Sequence, residues 1–138
     1  MLTDHENLGS ASEPEEFEIE RGAIRTFAEA IGDSNRAFCS GEIAPPTFPT
    51  TLHLSASQEN GDPDARPDRR RLWLSGGDEF IYERPLRAGD KITCVRRIID
   101  TYVKQGRHGR MTFVITETEG RDQEGNLVFR ARNTLIKY

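Results

Sequence analysis

The second half of the chain contains three long stretches with strand character, separated by short turn signals. The stretches cover residues 91–103, 111–119 and 127–138, and the turns lie at residues 106–109 and 122–126. The β-branched and aromatic residues in these stretches favour strands, and turns this short join antiparallel neighbours. The pattern therefore predicts an antiparallel sheet behind a helical first half. We expect an α+β fold, in which long strands can curl around one central helix.

The first half has the periodicity of one amphipathic helix followed by irregular segments. Apolar side chains recur at helical spacing over residues 21–31, and the glycine that follows is a good helix terminator. Residues 17–20 alternate between apolar and polar, which is typical of a short strand or of a docking segment. The prolines in residues 44–49 exclude a regular element there. Residues 50–57 have the pattern of a short helix.

Turn signals divide the middle of the chain. Residues 60–71 form a loop by every local signal. The next apolar segment, residues 72–74, is expected to end at Gly76 and Gly77. A further turn at residues 84–90 precedes the first long stretch.

Composition limits the classes of protein to which the chain can belong. At 138 residues and 15.6 kDa it is long enough for one domain with a real core. We place that domain at residues 17–138, behind a flexible acidic lead at residues 1–16. The net charge of −4 argues against nucleic-acid binding, and no apolar run approaches the ~20 residues of a membrane span.

Cysteine content and the N-terminal residues indicate the compartment. Cys39 and Cys94 are too few for a disulfide scaffold or a structural zinc site. Acidic residues stand where a secretory signal would need basic residues and then an apolar run. We therefore expect a cytoplasmic protein without a metal centre.

The most informative functional signal is a turn that carries Asp33 and Asn35 directly after Gly32. Asp and Asn side chains in such turns bond to the nearby backbone and hold the loop rigid. A carboxylate fixed there can also act as a general base, provided that a second proton carrier stands close by. The chain has Phe38 where that carrier is expected, and phenylalanine cannot carry a proton. The two polar residues either brace the turn or belong to an incomplete acid/base site.

The order of these segments resembles that of the MaoC-like hydratase/dehydratase family. The matching segments are the helix with its Gly-Asp-x-Asn turn, the run at residues 44–48, the turn at residues 84–90 and the paired hairpin strands. More narrowly, the chain is similar to the N-terminal, dehydratase-like half of acyl-thioester hydratases, which also occurs as a separate small subunit. The resemblance covers roughly residues 17–138. It implies a hot-dog fold, in which a curved antiparallel sheet wraps a central helix running from near Pro46 through Leu54.

The family's catalytic signature is Gly-Asp-x-Asn-Pro-x-His, in which the Asp and His together activate water for addition to an enoyl thioester. Gly32, Asp33 and Asn35 match this signature, whereas Arg36 and Phe38 hold its Pro and His positions. The resemblance therefore implies that Asp33 and Asn35 are the remnant of a catalytic motif. The chain's histidines do not restore the missing position, since they stand at residues 5, 53 and 108.

The resemblance also implies a substrate and a partner. Pro46, Thr47 and Phe48 would contribute to the binding of an acyl-CoA or acyl-carrier-protein thioester, and no cofactor would be needed. The implied role is that of a subunit of an enoyl-thioester hydratase or 3-hydroxyacyl-thioester dehydratase in fatty-acid metabolism. This subunit would shape the acyl tunnel while a partner hot-dog subunit supplies the Asp/His dyad.

Two alternatives stay open at this point. The chain could be a self-sufficient homodimeric hydratase that uses Asp33, or a module that only binds acyl thioesters. Simpler structural readings also remain for single residues: Thr47 is a candidate helix cap, and the arginines at residues 69–71 form a solvated loop or meet an anionic partner.

Overall fold

A computed structural model describes Gly9, residues 11–52 and residues 73–138 of the chain. Within these residues, five strands form one antiparallel sheet with the order β1-β3-β4-β5-β2. Short helices precede the long strands and connect β1 to the rest of the sheet. The strands are β1 (Glu15–Glu18), β2 (Trp73–Tyr82), β3 (Lys91–Gly106), β4 (Gly109–Arg121) and β5 (Leu127–Lys137).

The described helices all lie between β1 and β2. They are α1 (Arg21–Ala30), α2 (Arg36–Cys39) and a 3₁₀ helix (Phe48–Thr51). Ile24 and Ala28 are the buried side chains of α1, and their spacing of four residues places them on one face of the helix. That face packs against the start of the sheet, because Ile24 belongs to the same buried cluster as residues of β3 and β5.

The three long strands pair as the sequence predicts. β3 and β4 are joined by a two-residue turn, since Gly106 pairs with Gly109. β4 and β5 are joined across residues 122–126. β1 lies beside the start of β3, and β2 lies at the opposite edge beside β5. These last two pairings join segments that are far apart in the sequence.

The buried core lies at one end of the sheet, where α1 and the 3₁₀ helix cover it. We call this region the packed end. Its buried cluster combines both helices with the start of β3 and the start of β5, and its members are Ile19, Ile24, Ala44, Phe48, Leu86, Ile92, Cys94, Val128 and Phe129. The packed end therefore holds Phe48 of the candidate binding segment and the helix α1, which leads into the Asp33 turn.

Several sequence predictions are confirmed and others need correction. The helix over residues 21–31 and its stop at Gly32, where φ is +69°, are confirmed by α1. Of the two interpretations of residues 17–20, the short strand is confirmed at residues 17 and 18, although β1 begins two residues earlier, at Glu15. Gly76 and Gly77 do not end the strand as expected: β2 runs through them, and a register shift between Ser75 and Gly77 absorbs the irregularity.

The proline-rich segment also differs from the prediction. A 3₁₀ helix covers Phe48–Thr51, although the prolines alone were expected to exclude a regular element at residues 44–49. Proline is tolerated in the first turn of a helix, where its missing N–H has no intrahelical partner to lose. The remainder of the predicted central helix and the loop at residues 60–71 lie outside the described residues, apart from Leu52.

Part of the predicted acidic lead contacts the sheet. The Gly9 N–H donates to the carbonyl of Ile98, and the Ser12 N–H donates to the carbonyl of Arg96. Ala11 also forms an isolated bridge with Arg97. The division of the chain at residue 17 remains a prediction. No helix of the described part of the chain is long and apolar enough to cross a membrane.

Candidate active site

The Asp33 turn begins where α1 ends. The N–H groups of Ile31, Gly32 and Asp33 donate to carbonyls of the last turn of α1, with N···O distances of 3.0–3.1 Å. The positive φ of Gly32 allows this tight reversal, which L side chains adopt with difficulty. The first motif residues are thus held rigidly against the helix end.

The side chains of Asp33 and Asn35 both bond to nearby backbone. The Asn35 N–H donates to Asp33 Oδ1 at 2.8 Å, and the Ala37 N–H donates to Asn35 Oδ1 at 3.0 Å. Asn35 is the N-cap of α2, so its side chain satisfies a donor at the start of that helix. This geometry matches the turn-bracing interpretation, and it commits one oxygen of each side chain to the backbone.

No proton carrier accompanies Asp33 among the described residues of this turn. Phe38 is half-buried on α2, where its amide and carbonyl take part in backbone bonds of the short helix. Cys39 Sγ donates to the backbone carbonyl oxygen of Asp33 at 3.1 Å, so this bond stabilises the backbone of the turn and does not involve the carboxylate. The described histidine, His108, lies in the turn between β3 and β4.

Pro46, Thr47 and Phe48 lie at the entry to the 3₁₀ helix, and they differ in burial. Pro46 and Thr47 are exposed, whereas the Phe48 side chain is only 2% exposed. The Phe48 ring packs edge-on against Phe27 of α1, with ring centroids 5.6 Å apart. Since α1 also carries the Asp33 turn at its end, one helix connects both candidate segments.

Backbone contacts of the same segment define what it can offer a ligand. Thr47 precedes the 3₁₀ helix but makes no capping bond with its side chain, so the expected cap is wrong. The Phe48 N–H donates to the Pro45 carbonyl, and the Thr50 N–H donates to the Thr47 carbonyl. The Thr47 N–H has no backbone acceptor among the described residues. Within the described part of the chain, it is therefore a donor without a backbone partner.

Tyr82 fixes the segment from the edge strand β2. Its hydroxyl donates to the carbonyl of Pro46. Burial raises the pKa of Tyr82 well above its ordinary value of 10, so the hydroxyl keeps its proton and remains a donor. The Tyr82 ring also contacts Phe129 of the core, with centroids 5.9 Å apart. Residue 46 is thereby tied to the packed end.

A short return segment connects α2 to these prolines. Gly41 has a φ of +79°, and a Cβ there would stand 2.5 Å from Arg21 Cγ, so only glycine fits. The chain then pairs directly with the turn at residues 86–88, because the Ala44 N–H donates to the Leu86 carbonyl and the Ala88 N–H donates to the Glu42 carbonyl. The segment from residue 41 to residue 44 is therefore a tight connection.

The turn at residues 84–90 has a structural role, as its residue types predict. Arg84 pairs with Asp90 at 2.8 Å, and the Asp90 carboxylate also accepts from the Arg87 N–H. The Ile19 N–H donates to the Asp90 carbonyl, and the Gly89 N–H donates to the Ile19 carbonyl. These two bonds fix the turn to the end of β1. Among the described residues no group of three or more His, Cys, Asp or Glu side chains could hold a metal ion.

Ile31 is a further candidate residue that the sequence pattern did not indicate. Ile31 was assigned to the apolar face of the helix, yet 49% of its surface is exposed directly before the Asp33 turn. It offers an apolar surface beside a half-buried carboxylate. At the last position of a helix with apolar periodicity, the sequence does not show whether an isoleucine side chain is buried or exposed.

Comparison with known proteins identifies the fold and the relatives of the chain. The model of the family described as "FAS1-like, dehydratase domain region" matches residues 6–131. A UPF0336 protein of Thermobifida fusca is 40% identical over 112 residues, which cover 72% of this chain and 73% of that protein.

Two solved complexes have similar architecture. The C-terminally truncated HadBC (3R-hydroxyacyl-ACP dehydratase) complex of Mycobacterium tuberculosis contains a chain with a TM-score of 0.74 and 25% identity, covering 94% of this chain and 96% of that one. The ChsH1-ChsH2 complex of the same organism has a TM-score of 0.71 at 19% identity, covering 94% and 84%, and that likeness concerns the fold alone. The predicted hot-dog fold and the MaoC-like resemblance are confirmed.

Proposed function

This chain belongs to the FAS1-like dehydratase domain family, within the MaoC-like hydratases and dehydratases. We propose that it is a non-catalytic subunit of an enoyl-thioester hydratase or 3-hydroxyacyl-thioester dehydratase. It shapes the acyl-binding tunnel, and a partner hot-dog subunit supplies the Asp/His dyad. The observation that carries the proposal is the incomplete site. Asp33 is present and oriented by the backbone, but Phe38 stands where the family's histidine would carry the second proton.

The reaction explains why this departure matters. Hydration of an enoyl thioester adds the oxygen of water to the β-carbon and a proton to the α-carbon, and dehydration removes the same groups. A base must take a proton from water while an acid delivers one to carbon, and a positioned proton carrier typically contributes ~10²–10⁴-fold. Asp33 alone can serve only one of these transfers at a time. The chain therefore depends on a partner for the complete dyad.

Exposed groups at the candidate site suit an acyl thioester. Ile31 supplies apolar surface, and the free N–H of Thr47 can donate to the thioester oxygen as negative charge develops there. Pro46 and Thr47 are accessible to a substrate, whereas Phe48 is buried in the core and can only support the residues that contact the substrate. The roles of Asp33, Asn35, Pro46, Thr47 and Phe48 in binding or catalysis remain predictions.

The edge strand β2 is the place where we expect the partner. β2 has ten residues, and among the described strands it pairs with β5 alone. Long unpaired edges are usually covered in native assemblies, and Leu74 and Ile81 on this strand are 41% and 43% exposed. The HadBC and ChsH1-ChsH2 structures are both complexes of two kinds of subunit, which supports a heteromer here. A homodimer is the alternative when the chain is expressed alone.

The assay follows the loss of enoyl absorbance with crotonyl-CoA and longer enoyl-CoA substrates. We expect the purified chain to show little activity, and activity to appear when a small hot-dog protein with an intact Gly-Asp-x-Asn-Pro-x-His motif from the neighbouring reading frame is added. Brisk turnover by the lone chain would contradict the proposal and favour the self-sufficient homodimer. Binding without turnover in the presence of the partner would favour a module that only binds acyl thioesters.

Two substitutions at one position separate chemistry from structure. Asp33→Asn keeps an oxygen that can accept from the Asn35 N–H but removes the carboxylate, whereas Asp33→Ala removes both. If Asp33 only braces the turn, partner-dependent activity survives in Asp33→Asn and falls in Asp33→Ala. Equal and complete loss in both variants, with unchanged folding, would make Asp33 a catalytic residue.

A further inference from the structure

The turn between β3 and β4 carries positive charge on an otherwise acidic protein. Residues 101–116 contain three basic residues and no acidic residue, whereas the whole chain has a net charge of −4. Lys104, Arg107 and Arg110 are all exposed. We call these three residues the basic tip.

The basic tip differs from several arginines of the sheet and its turns, which have carboxylate partners. Three arginines of the sheet and its turns pair with carboxylates: Arg132 with Glu117 at 2.9 Å, Arg130 with Glu119 at 3.6 Å and Arg84 with Asp90 at 2.8 Å. The side chains of the basic tip form no ion pair with a carboxylate within the described part of the chain. Their charge is therefore available to a partner.

An apolar platform lies beside these charges. The rings of Tyr102 and Phe113 are stacked, with centroids 4.8 Å apart and planes 7° from parallel. Lys104 Nζ lies 5.6 Å and 5.5 Å from the two centroids, which is cation–π distance. The contact holds the lysine side chain against this ring pair. Aromatic residues and arginine, of which this region contains both, are enriched in protein interfaces.

We propose that the basic tip is the docking surface for an acidic carrier protein that bears the acyl chain, which rests on the proposed function and specifies its substrate as a carrier-protein thioester. The shape of the tip favours a protein over a small phosphate ligand. The charges stand on a projecting two-residue turn and on both faces of the hairpin, because Arg110 pairs with Gln105 while Lys104 pairs with Met111. Sites for small ligands are concave, whereas a projecting surface suits a macromolecule.

The position of the tip fits the proposed assembly. Trp73, the first residue of β2, pairs with Lys137 of β5, and Lys137 also pairs with Thr112 of β4. The start of β2 and the basic tip therefore lie at the same end of the sheet. In an antiparallel edge pair, the start of one strand lies opposite the end of the other. Pairing through β2 would thus bring the basic tip of this chain toward the packed end of the partner. A carrier bound at the tip would then stand near the partner's dyad.

The test compares two double charge reversals. Arg107→Glu with Arg110→Glu changes the tip, and Arg87→Glu with Lys91→Glu makes the same change in net charge at exposed positions of the packed end. Binding to a purified bacterial acyl carrier protein loaded with a 3-hydroxyacyl chain is measured by calorimetry at low and high salt. We expect the tip variant to bind about tenfold more weakly and the control variant to bind almost as tightly as wild type. Wild-type affinity should fall as salt rises.

Other probes decide against the proposal. Unchanged carrier binding in the tip variant, or no binding by wild type, would overturn it. Parallel loss of coenzyme A binding would indicate a phosphate site, and loss of binding to phosphatidylglycerol vesicles would indicate a membrane surface. A neutral variant, Arg107→Gln with Arg110→Gln, replaces the reversal if the latter changes the circular dichroism spectrum.

Activity separates this inference from the proposed function. With the catalytic partner present, the tip variant should dehydrate a 3-hydroxyacyl-CoA as fast as wild type and a carrier-bound substrate more slowly. Equal rates of wild type and the tip variant on the carrier-bound substrate would refute the docking role. If wild type and partner act on neither thioester, the proposed function fails, and the calorimetric comparison still decides whether the basic tip binds the carrier.

Discussion

The two ends of the sheet are built differently. At the packed end, α1 and the 3₁₀ helix cover a cluster in which Ile92, Val128 and Phe129 are almost fully buried. At the other end, which we call the open end, Leu74, Val103 and Tyr138 are 41–42% exposed. The same long strands thus supply both a core and an apolar surface that the described residues leave accessible.

Two irregularities mark the border between these ends. A register shift lies between Ser75 and Gly77 in β2, and another lies between Ile98 and Asp100 in β3. Bulges of this kind bend a strand and increase its twist. The packed end can therefore curve around its helices while the open end continues in a different direction. Stability should depend on the packed end, whereas the docking proposed for the basic tip should depend on the open end.

Truncation of Phe129 should have the largest effect on stability. Phe129 is 1% exposed at the packed end, so Phe129→Ala should lower the free energy of unfolding by about 3–5 kcal/mol, measured by urea denaturation. Val103→Ala at the open end, where the side chain is 41% exposed, is the control and should stay within about 0.5 kcal/mol. Similar losses for both variants would show that the two ends do not differ as described.

Overpacking the same site should have the next largest effect. A Cβ at Gly120 would stand 2.2 Å from Phe129 Cε1, so Gly120→Ala should cost about 1–3 kcal/mol. Gly76→Ala is the matched control, because its nearest neighbours are side-chain atoms 3.1 Å away on Ile136 and Thr134. Combining Gly120→Ala with Phe129→Leu should cost less than the sum of the single changes. If the free-energy costs of the two substitutions simply added, the clash with the Phe129 ring would not be the reason that Gly120→Ala lowers stability.

The sequence predicted local structure better than it predicted pairing. Residue patterns identified α1 and the three long strands because helical spacing, strand character and glycine turns are local signals. The positions of β1 beside β3 and of β2 beside β5 have no local signal, since each pairing joins segments separated by many residues. Tertiary packing determines these neighbours. The glycines of β2 misled the prediction because a bulge can absorb them without ending the strand.

The candidate site could be located from the sequence but not characterised. The Asp-x-Asn pattern predicted a rigid turn after a helix, and the bonds to the N–H groups of Asn35 and Ala37 agree with that interpretation. Helix α2 was missed, although Asn35 is a typical N-cap, because four residues are too few for periodicity. The burial of Phe48 and the exposure of Ile31 depend on packing between α1 and the 3₁₀ helix.

The cap of α2 gives a smaller expected effect at the border of the packed end. Asn35→Ala removes the acceptor for the Ala37 N–H and should cost about 1 kcal/mol of stability. Asn35→Asp keeps an acceptor at the same place and should cost little. The two variants are compared by urea denaturation at one protein concentration. A large loss in Asn35→Asp would indicate that the amide group has a further partner and that capping alone does not explain the residue.

The two hairpin turns should differ in how pH affects them. The turn between β4 and β5 is built on Asp122, whose carboxylate accepts from the N–H of Asn126 at 2.9 Å and from that of Glu124 at 3.0 Å. These bonds, with that from Asn126 first, hold the pKa of Asp122 below its ordinary value of 3.8. The turn between β3 and β4 contains no carboxylate. Acid should therefore weaken the first turn without a matching effect on the second.

The sign and the pH range of this last effect follow from the lowered pKa. A group whose pKa is lower in the folded state stabilises the fold above its unfolded pKa, and that stabilisation is lost as the pH falls through the folded pKa. Asp122→Asn resembles the protonated carboxyl group, so wild type should be more stable than the variant at neutral pH. The difference should shrink below about pH 3.8 and vanish at lower pH. Urea midpoints of both proteins across this range measure it, and a difference that did not change with pH would mean that the charge of Asp122 does not stabilise the turn.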